Sequence, residues 1–156
     1  MKWFALSAGL RTPMPDNLTP TQRSRCMALV KSRDTSLERL VRSELHRRGF
    51  RFRKHVKTLP GSPDLVFPAR RLAVFIDGDF WHGWRFPNWQ KQLSPFWRDK
   101  IAKNRRRDFR NFRKLRARGW KVVRIWQHTI ERDFESALDR IVRALQRDSA
   151  VTSART

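Results

Sequence analysis

The sequence predicts an α/β sandwich in which helices flank a central mixed β-sheet. Two short apolar runs, DLVF and RLAVFID, are typical of neighbouring strands inside a sheet. A long amphipathic segment follows them, and another apolar run, WKVVRIW, precedes a last amphipathic segment. Strands and helices in this order are typical of layered α/β domains.

Domain organisation follows from the chain length and from the character of the two ends. The 156 residues are enough for one compact domain. Residues 1–18 and 148–156 lack a sustained apolar period, so we expect a flexible N-terminal arm and a disordered C-terminal tail. A single domain is therefore predicted over residues 19–147.

The first two predicted elements are helices. Thr19 is followed by a proline, which is a common way to start a helix, and this helix is expected to run to about Lys31. Thr35 and Glu38 have the spacing of a capping box for a second helix. Gly49 is expected to end that helix.

Three strands and a loop are predicted in the middle of the chain. Residues 50–57 alternate phenylalanine with arginine, as in an edge strand that has one basic face. Turn residues at 60–62 separate this strand from DLVF (64–67) and RLAVFID (71–77), which are predicted to be adjacent. The aromatic stretch 78–89 is predicted to be a loop.

The last third of the chain predicts the longest helix, a strand and a closing helix. Ser94 and Pro95 open the long helix, which is expected to end at Gly119. WKVVRIW is predicted to be another central strand, and residues 134–145 a closing helix. One acid falls in the predicted buried row of the long helix, which reads Trp97, Ile101, Asp108, Phe112 and Leu115.

The charge of the chain indicates a polyanionic partner. There are 36 Lys and Arg against 14 Asp and Glu, a formal net charge of +22. Nucleic acid is the favoured partner for such a charge. A membrane surface is the alternative, but the basic residues are interleaved with seven Trp and eleven Phe instead of forming one amphipathic helix. No stretch reaches the ~20 apolar residues that cross a bilayer.

Cysteine content limits the covalent and metal chemistry. Cys26 is the only cysteine, so the chain alone forms neither an internal disulfide nor a cysteine-based zinc cluster. A reducing, cytoplasmic setting is expected.

Two aspartates are placed for metal-dependent phosphodiester hydrolysis. That reaction at neutral pH needs a metal ion, and hard cations such as Mg2+ bind carboxylate oxygens. Asp64 begins DLVF and Asp77 ends RLAVFID, so two adjacent strands would deliver two carboxylates. Alternatively, Asp64 is a turn residue after a proline, and Asp77 is one before Gly78.

Three segments resemble the very short patch repair (Vsr-type) DNA mismatch endonucleases. They are GSPDLVF, FIDGDFWHG and FWRDKIAKNRRRDFRNFRKLRARGWKVVRIW, and the resemblance covers about residues 19–145. It implies a restriction-endonuclease-like (PD-(D/E)XK-type) fold. It also implies an enzyme that nicks duplex DNA 5' of the thymine in a T:G mismatch, in repair of deaminated 5-methylcytosine.

The resemblance also implies catalytic roles. Asp64 matches the metal-binding aspartate of the family, with the backbone carbonyl of Ile76 as a further ligand, for Mg2+ with Mn2+ as a substitute. His82 matches the general base, and Asp108 and Glu38 match two further acids. Each has an alternative: His82 caps a loop, Asp108 pairs with a neighbouring arginine, and Glu38 only closes the capping box.

Asp77 departs from the family pattern, because many relatives carry a catalytic histidine there. An anion at this position either binds a metal directly or holds His82 in one tautomer. The sequence leaves both open.

DNA contacts are implied for aromatic and basic side chains. Phe80, Trp81 and Trp97 match the intercalating aromatics of the family, and the alternative is that they are core residues. From the excess of basic residues, and not from the resemblance, the expected backbone contacts are Arg51, Arg53, Lys54, Lys100, Lys103, Arg105, Arg106, Arg107, Arg110 and Arg113. The alternative is a charged face that is only solvated.

Relatives hold a structural zinc where this chain has Asp79, Trp84, Phe86 and His128. Those side chains do not make a normal zinc site, so no structural zinc is predicted. We expect Asp79 and His128 to form a hydrogen-bonded pair, with Trp84 and Phe86 packed around it.

The implied partners are mismatched double-stranded DNA, a cytosine-5 DNA methyltransferase and mismatch-repair proteins. A nucleoid-associated bacterial monomer without membrane attachment is expected. One alternative is a less selective restriction- or defence-related nickase with the same metal site. Another is a DNA-binding homologue that has lost catalysis.

Overall fold

The computed structural model describes residues 19, 21–22, 24–25 and 34–146. The predicted arm, the predicted tail at 148–156 and most of the helix expected from Thr19 lie outside the described residues. Thr19 and Gln22 exchange hydrogen bonds of 2.9 and 3.2 Å, as a helix N-cap does, and residues 21, 22, 24 and 25 are helical.

The described residues from 34 onward contain the predicted helices and strands in the predicted order, together with two short helices, at Phe86–Trp89 and Gln127–Arg132, that were not predicted. Two single-turn 3-10 helices occur at Pro68–Arg70 and Gln90–Gln92. The other elements are α1 (Ser36–Arg47), β1 (Arg53–Lys54), β2 (Leu65–Phe67), β3 (Leu72–Asp77), α2 (Phe86–Trp89), α3 (Pro95–Ala117), β4 (Lys121–Trp126), α4 (Gln127–Arg132) and α5 (Phe134–Gln146).

The four strands form one mixed sheet in the order β1-β2-β3-β4. β1, β2 and β3 pair antiparallel, whereas β3 and β4 pair parallel, and α3 lies in the connection between them. The predicted α/β architecture with a mixed sheet is therefore confirmed. The prediction that WKVVRIW is a central strand is wrong, because β4 pairs only with β3 within the described sheet.

The predicted strand at 50–57 is much shorter than expected, since only Arg53 and Lys54 pair with β2. His55 has a left-handed backbone conformation (φ 49), which stops the extended strand. Phe50 and Phe52 pack against the core instead of extending the ladder. The predicted loop 78–89 also contains the short helix α2.

Helices cover both faces of the sheet. Alternate residues of β3 point to opposite sides. Leu72 and Val74 pack with residues of α1 and α5, whereas Ala73 and Phe75 pack with residues of α3. By the same alternation Asp77 lies on the α3 side. Each fully buried leucine contributes about 1.5–3 kcal/mol relative to an exposed one, so this packing sets the strand positions firmly.

Local signals for helix ends are confirmed. The Thr35 hydroxyl accepts from the Glu38 amide at 3.2 Å, and the Glu38 carboxylate accepts from the Thr35 amide at 3.4 Å. In α3 the predicted buried row is found for its last four members, while Trp97 is partly exposed.

None of the described helices combines the length and apolarity needed to cross a bilayer.

Candidate active site

Asp64 and Asp77 lie at the same edge of the sheet. β2 runs antiparallel to β3, so the residue before β2 is next to the end of β3. The Asp64 amide donates to the Val74 carbonyl at 3.0 Å, and the Ile76 amide donates to Asp64 Oδ2 at 2.7 Å. Two adjacent strands therefore deliver two carboxylates, as the sequence indicates.

The Asp64 carboxyl has an unusual electrostatic environment. Burial raises its pKa to about 7, against an ordinary value of 3.8. The hydrogen bond from Ile76 lowers this pKa, the anions Glu38 and Asp77 raise it, and His82 lowers it. A desolvated carboxylate close to other carboxylates is stabilised by a cation. The site therefore fits a hard divalent ion, which prefers carboxylate and carbonyl oxygens.

His82 lies between two carboxylates on the α3 side of the sheet. Its Nδ1 is 2.6 Å from Asp108 Oδ2, and its Nε2 is 3.4 Å from Asp77 Oδ1. Its backbone amide donates to the Gly78 carbonyl at 3.1 Å, which orders the turn after β3. Asp77, His82 and Asp108 offer ligand-type atoms that all lie within 4.8 Å of one another.

The two carboxylates beside His82 differ in protonation behaviour. Burial raises the pKa of Asp77 although His82 and Arg124 oppose the shift. Burial also acts to raise the pKa of Asp108, but hydrogen bonds with His82 and Arg107 lower it overall. Asp108 therefore stays ionised to a lower pH than Asp77 does. Asp108 also contacts Arg107 at 3.0 Å. It therefore pairs with a neighbouring arginine and contacts His82 at the same time.

Arg124 is a site residue that the sequence analysis missed. Its Nε donates to Asp77 Oδ2, and its Nη2 lies 3.4 Å from Asp108 Oδ2. The guanidinium lies over the ring of Trp126 at 4.0 Å. The available signal was an arginine inside the otherwise apolar VVRIW run.

Glu38 is buried and makes contacts in two directions. Besides its capping contacts, it lies 3.7 Å from Arg42 and 3.7 Å from His55 Nε2. Arg42 also contacts Asp34 at 2.6 Å, and this bond with that of His55 lowers the pKa of Asp34. Asp34, Glu38 and His55 are close enough to hold a metal, but the Arg42 guanidinium already supplies the positive charge there.

One aromatic cluster at the surface is formed by Phe80, Trp81 and Trp97. Their ring centroids are 5.1 Å (Phe80 to Trp81) and 5.8 Å (each of them to Trp97) apart. All three side chains are partly exposed. Phe80 also stacks on Trp89 at 5.8 Å. The structure thus brings the three residues together next to the turn that carries His82. Phe80 and Trp97 also pack against a buried cluster, as the core alternative expects of them.

Contacts from α3 position the turn that carries these residues. Asn104 donates to the Trp81 carbonyl at 3.0 Å, and Arg105 donates to the Gly83 carbonyl. Gly83 has φ 67, and a Cβ there would lie 2.8 Å from Arg105 and 2.9 Å from Ile101. Only glycine fits such a close approach.

The predicted pair of Asp79 and His128 is confirmed by a contact of 2.8 Å from Nδ1 to the carboxylate. Trp84 packs on the His128 ring at 4.5 Å and on Trp126 at 5.0 Å. The prediction for Phe86 is wrong, because its ring is buried in a different cluster, with Leu93 and Ile101.

The expected phosphate contacts occupy two places in the structure. Arg51 and the β1 residues Arg53 and Lys54 are exposed. Arg105 is partly buried and lies over the Phe86 ring at 5.6 Å, so its position is set by these contacts. The exposed basic residues of α3 in the predicted set are Lys100, Lys103, Arg106, Arg107, Arg110 and Arg113.

Comparison with known proteins identifies the family. The sequence profile of the family described as DNA mismatch endonuclease Vsr matches residues 15–88. The type II nicking enzyme V.XorIIP of Xanthomonas oryzae pv. oryzae is 47% identical over 116 residues, which span 73% of this chain and 85% of the relative. The chain belongs to the Vsr-type endonuclease family.

Two further relatives are similar over most of the chain. The type II nicking enzyme V.NmeAIP of Neisseria meningitidis is 36% identical over 137 residues, 85% of this chain and 98% of the relative. The DNA mismatch endonuclease Vsr of Escherichia coli is 34% identical over 119 residues, 73% and 74% of the two chains. The protein is therefore a DNA endonuclease, and its substrate is DNA.

Proposed function

We propose that this protein is a Mg2+-dependent endonuclease with a restriction-endonuclease-like fold, which nicks duplex DNA 5' of the thymine in a T:G mismatch. The cellular role is very short patch repair of deaminated 5-methylcytosine. One observation carries the proposal: a desolvated Asp64 and a His82–Asp108 pair lie beside a partly exposed cluster of three aromatic rings. This arrangement combines phosphodiester chemistry with a means of testing base stacking.

Asp64 and the backbone carbonyl of Ile76 would hold Mg2+, with Mn2+ as a substitute. The bound ion would activate water and neutralise negative charge on the phosphate. Asp77 is the weaker candidate ligand, because one oxygen faces His82 and the other accepts from Arg124. Of the two roles left open for Asp77, metal ligand or partner of His82, we favour the second, but as a carboxylate that stabilises the protonated ring, because Asp108 at Nδ1 sets the tautomer.

His82 acts as general base in this proposal. Its Nδ1–H donates to Asp108, which leaves Nε2 to accept a proton from the attacking water. Asp77 at 3.4 Å then stabilises the imidazolium. Glu38, buried near Asp64, adds negative charge that strengthens cation binding. The products carry a 5' phosphate and a 3' hydroxyl.

The aromatic cluster of Phe80, Trp81 and Trp97 would test the stability of the base pair. Unstacking a step costs a few kcal/mol, and least where the pair is already weak. Stacking on an aromatic side chain returns about 1–3 kcal/mol per base. Because these terms are similar in size, a mismatch decides whether insertion is favourable. The exposed basic residues of β1 and α3 would grip the phosphates.

Further parts of the proposal concern the cellular context and metal content. We propose a nucleoid-associated bacterial monomer that acts beside a cytosine-5 DNA methyltransferase and mismatch-repair proteins. We also propose that no structural zinc is bound. Of the four family positions, only Asp79 and His128 carry side chains that ligate zinc, and these two contact each other.

A less selective nickase with the same metal site is the second candidate. The names of the relatives V.XorIIP, V.NmeAIP and others as type II nicking enzymes favour it. Loss of catalysis is disfavoured, since Asp64, His82 and Asp108 are all present and in contact with suitable partners.

A nicking assay distinguishes these candidates. Duplexes that differ only at one pair (T:G, T:A, C:G) are labelled on each strand and incubated with wild type and with Asp64→Ala, with Mg2+ or with chelator. Mismatch repair predicts a nick 5' of the mismatched thymine only, in Mg2+ and only with wild type. Equal nicking of T:G and T:A would support the less selective nickase, and nicking by Asp64→Ala would overturn the metal site.

A further inference from the structure

The position of Arg124 in the fold is unusual for an arginine. It pairs in register with Phe75 in the parallel ladder between β3 and β4. Its side chain is only 25% exposed. The guanidinium lies over Trp126 at 4.0 Å and over Phe112 at 5.3 Å. These two rings restrict the orientation of the guanidinium. An arginine on a solvated surface has no such constraint.

The two carboxylates that Arg124 contacts are the same two that flank His82. Asp77 contacts Arg124 through Oδ2 and His82 through Oδ1. Asp108 Oδ2 lies 3.4 Å from Arg124 and 2.6 Å from His82 Nδ1. The four side chains therefore form a closed ring of polar contacts, with the imidazole on one side and the guanidinium on the other.

We propose that Arg124 is a positioning residue of this nuclease, which offsets the repulsion between Asp77 and Asp108 and fixes both carboxylates so that His82 keeps the orientation needed for proton transfer. This inference rests on the proposed role of His82. Arg124 need not touch DNA or metal in this role.

The physical reason is charge repulsion within a buried site. Asp77 and Asp108 are 4% and 7% exposed, and two carboxylates that share one imidazole repel each other at low dielectric. A planar guanidinium offers donors in different directions and so contacts both carboxylates at once. Lysine carries a point charge on a flexible stem and would hold one carboxylate well but not both.

Without Arg124, we expect the carboxylates to rearrange and His82 to lose its fixed geometry. Replacing a group that orients a catalytic residue reduces activity about 10- to 100-fold. DNA is gripped elsewhere, by the exposed basic residues of β1 and α3, so substrate binding should change little. The expected signature is a fall in kcat with a nearly constant KM.

The test compares Arg124→Met and Arg124→Lys with a matched control, Arg48→Met. Arg48 is 26% exposed and also bridges two carboxylates, Glu44 at 2.7 Å and Glu135 at 2.6 Å, but its partners lie outside the site. We expect kcat to fall about 10- to 100-fold in Arg124→Met, less in Arg124→Lys, and less than about twofold in Arg48→Met. KM should stay within about threefold in all of them.

Chemical rescue separates a local role from general damage to the fold. Arg124→Ala leaves space beside Trp126, and added guanidinium ion should restore part of its kcat, whereas sodium chloride at equal ionic strength should not. Equal loss of kcat in the Arg124 and Arg48 variants, or no rescue by guanidinium, would overturn the inference. If Arg124→Ala does not fold, Arg124→Lys still provides the comparison of kcat with KM.

Failure of this inference differs from failure of the proposed function. Wild-type protein that nicks no duplex in Mg2+ would refute the proposed function. Wild type that nicks T:G duplex while Arg124→Met nicks it at the same rate would refute only the role of Arg124.

Discussion

Replacing Asp64 by asparagine should stabilise the protein when no divalent ion is present. Burial raises the pKa of Asp64 to about 7 from an ordinary value of 3.8. Because the folded-state pKa is the higher one, the contribution to stability is full below about pH 3.8 and is lost as pH rises through 7. One pKa unit corresponds to about 1.4 kcal/mol, so the loss approaches about 4 kcal/mol at pH 8.

Asparagine removes the ionisation but still offers an oxygen to the Ile76 amide. We therefore expect the variant to exceed wild type by about 2–4 kcal/mol in free energy of unfolding at pH 8 and by little near pH 4. Urea unfolding followed by tryptophan fluorescence, in chelator from pH 4 to pH 8, measures this difference. Added Mg2+ should stabilise wild type at pH 8 and leave Asp64→Asn nearly unchanged.

Asp108→Asn is the matched control because the pKa of Asp108 is shifted in the opposite direction from that of Asp64. The pKa of Asp108 is lowered, so its ionised form stabilises the fold at neutral pH and that contribution is lost as pH falls. This variant should be less stable than wild type at pH 8. If Asp64→Asn were instead less stable at pH 8, or the difference did not change with pH, the reasoning about a desolvated carboxyl would be refuted.

Three further predictions concern catalysis, recognition and folding. His82→Ala should lower kcat by about 10²- to 10⁴-fold, and unchanged affinity for uncut duplex in a binding assay would show that the fold is retained. Trp81→Ala should reduce nicking of T:G duplex by about 5- to 150-fold, equivalent to 1–3 kcal/mol of stacking, and an unchanged rate would exclude it from recognition. Gly83→Ala should lower the melting temperature, because its Cβ would clash with Arg105 and Ile101. Gly49→Ala is the control: it has a similar positive φ but open space around it, so a melting temperature as low as that of Gly83→Ala would contradict the steric argument.

Much of the fold could be predicted because its signals are local. The capping box of Thr35 and Glu38 spans four residues, and it forms as expected. The runs DLVF and RLAVFID contain strands that pair with each other, and the helix after Ser94 begins as predicted. The position of β4 could not be predicted in this way. A run such as WKVVRIW is apolar for either a central or an edge strand, and its partners are chosen by the packing of distant segments.

Asp64, Asp77, His82 and Asp108 could be nominated as site residues because they stand in recognisable positions and motifs. Their contacts could not be read in the same way. Arg124 is 47 residues from Asp77 and 16 from Asp108, so no local pattern connects them.

The sequence by itself therefore determined the starts of α1 and α3, the strand-forming runs, the excess of basic residues and the identity of the acids. Only the tertiary structure decided which charged side chains contact each other and which are buried away from water. Helix and strand signals arise between near neighbours along the chain. The pKa of Asp64 and the ion pairs around His82 depend instead on distances and burial in space, which arise only when β2, β3, α3 and β4 have packed together.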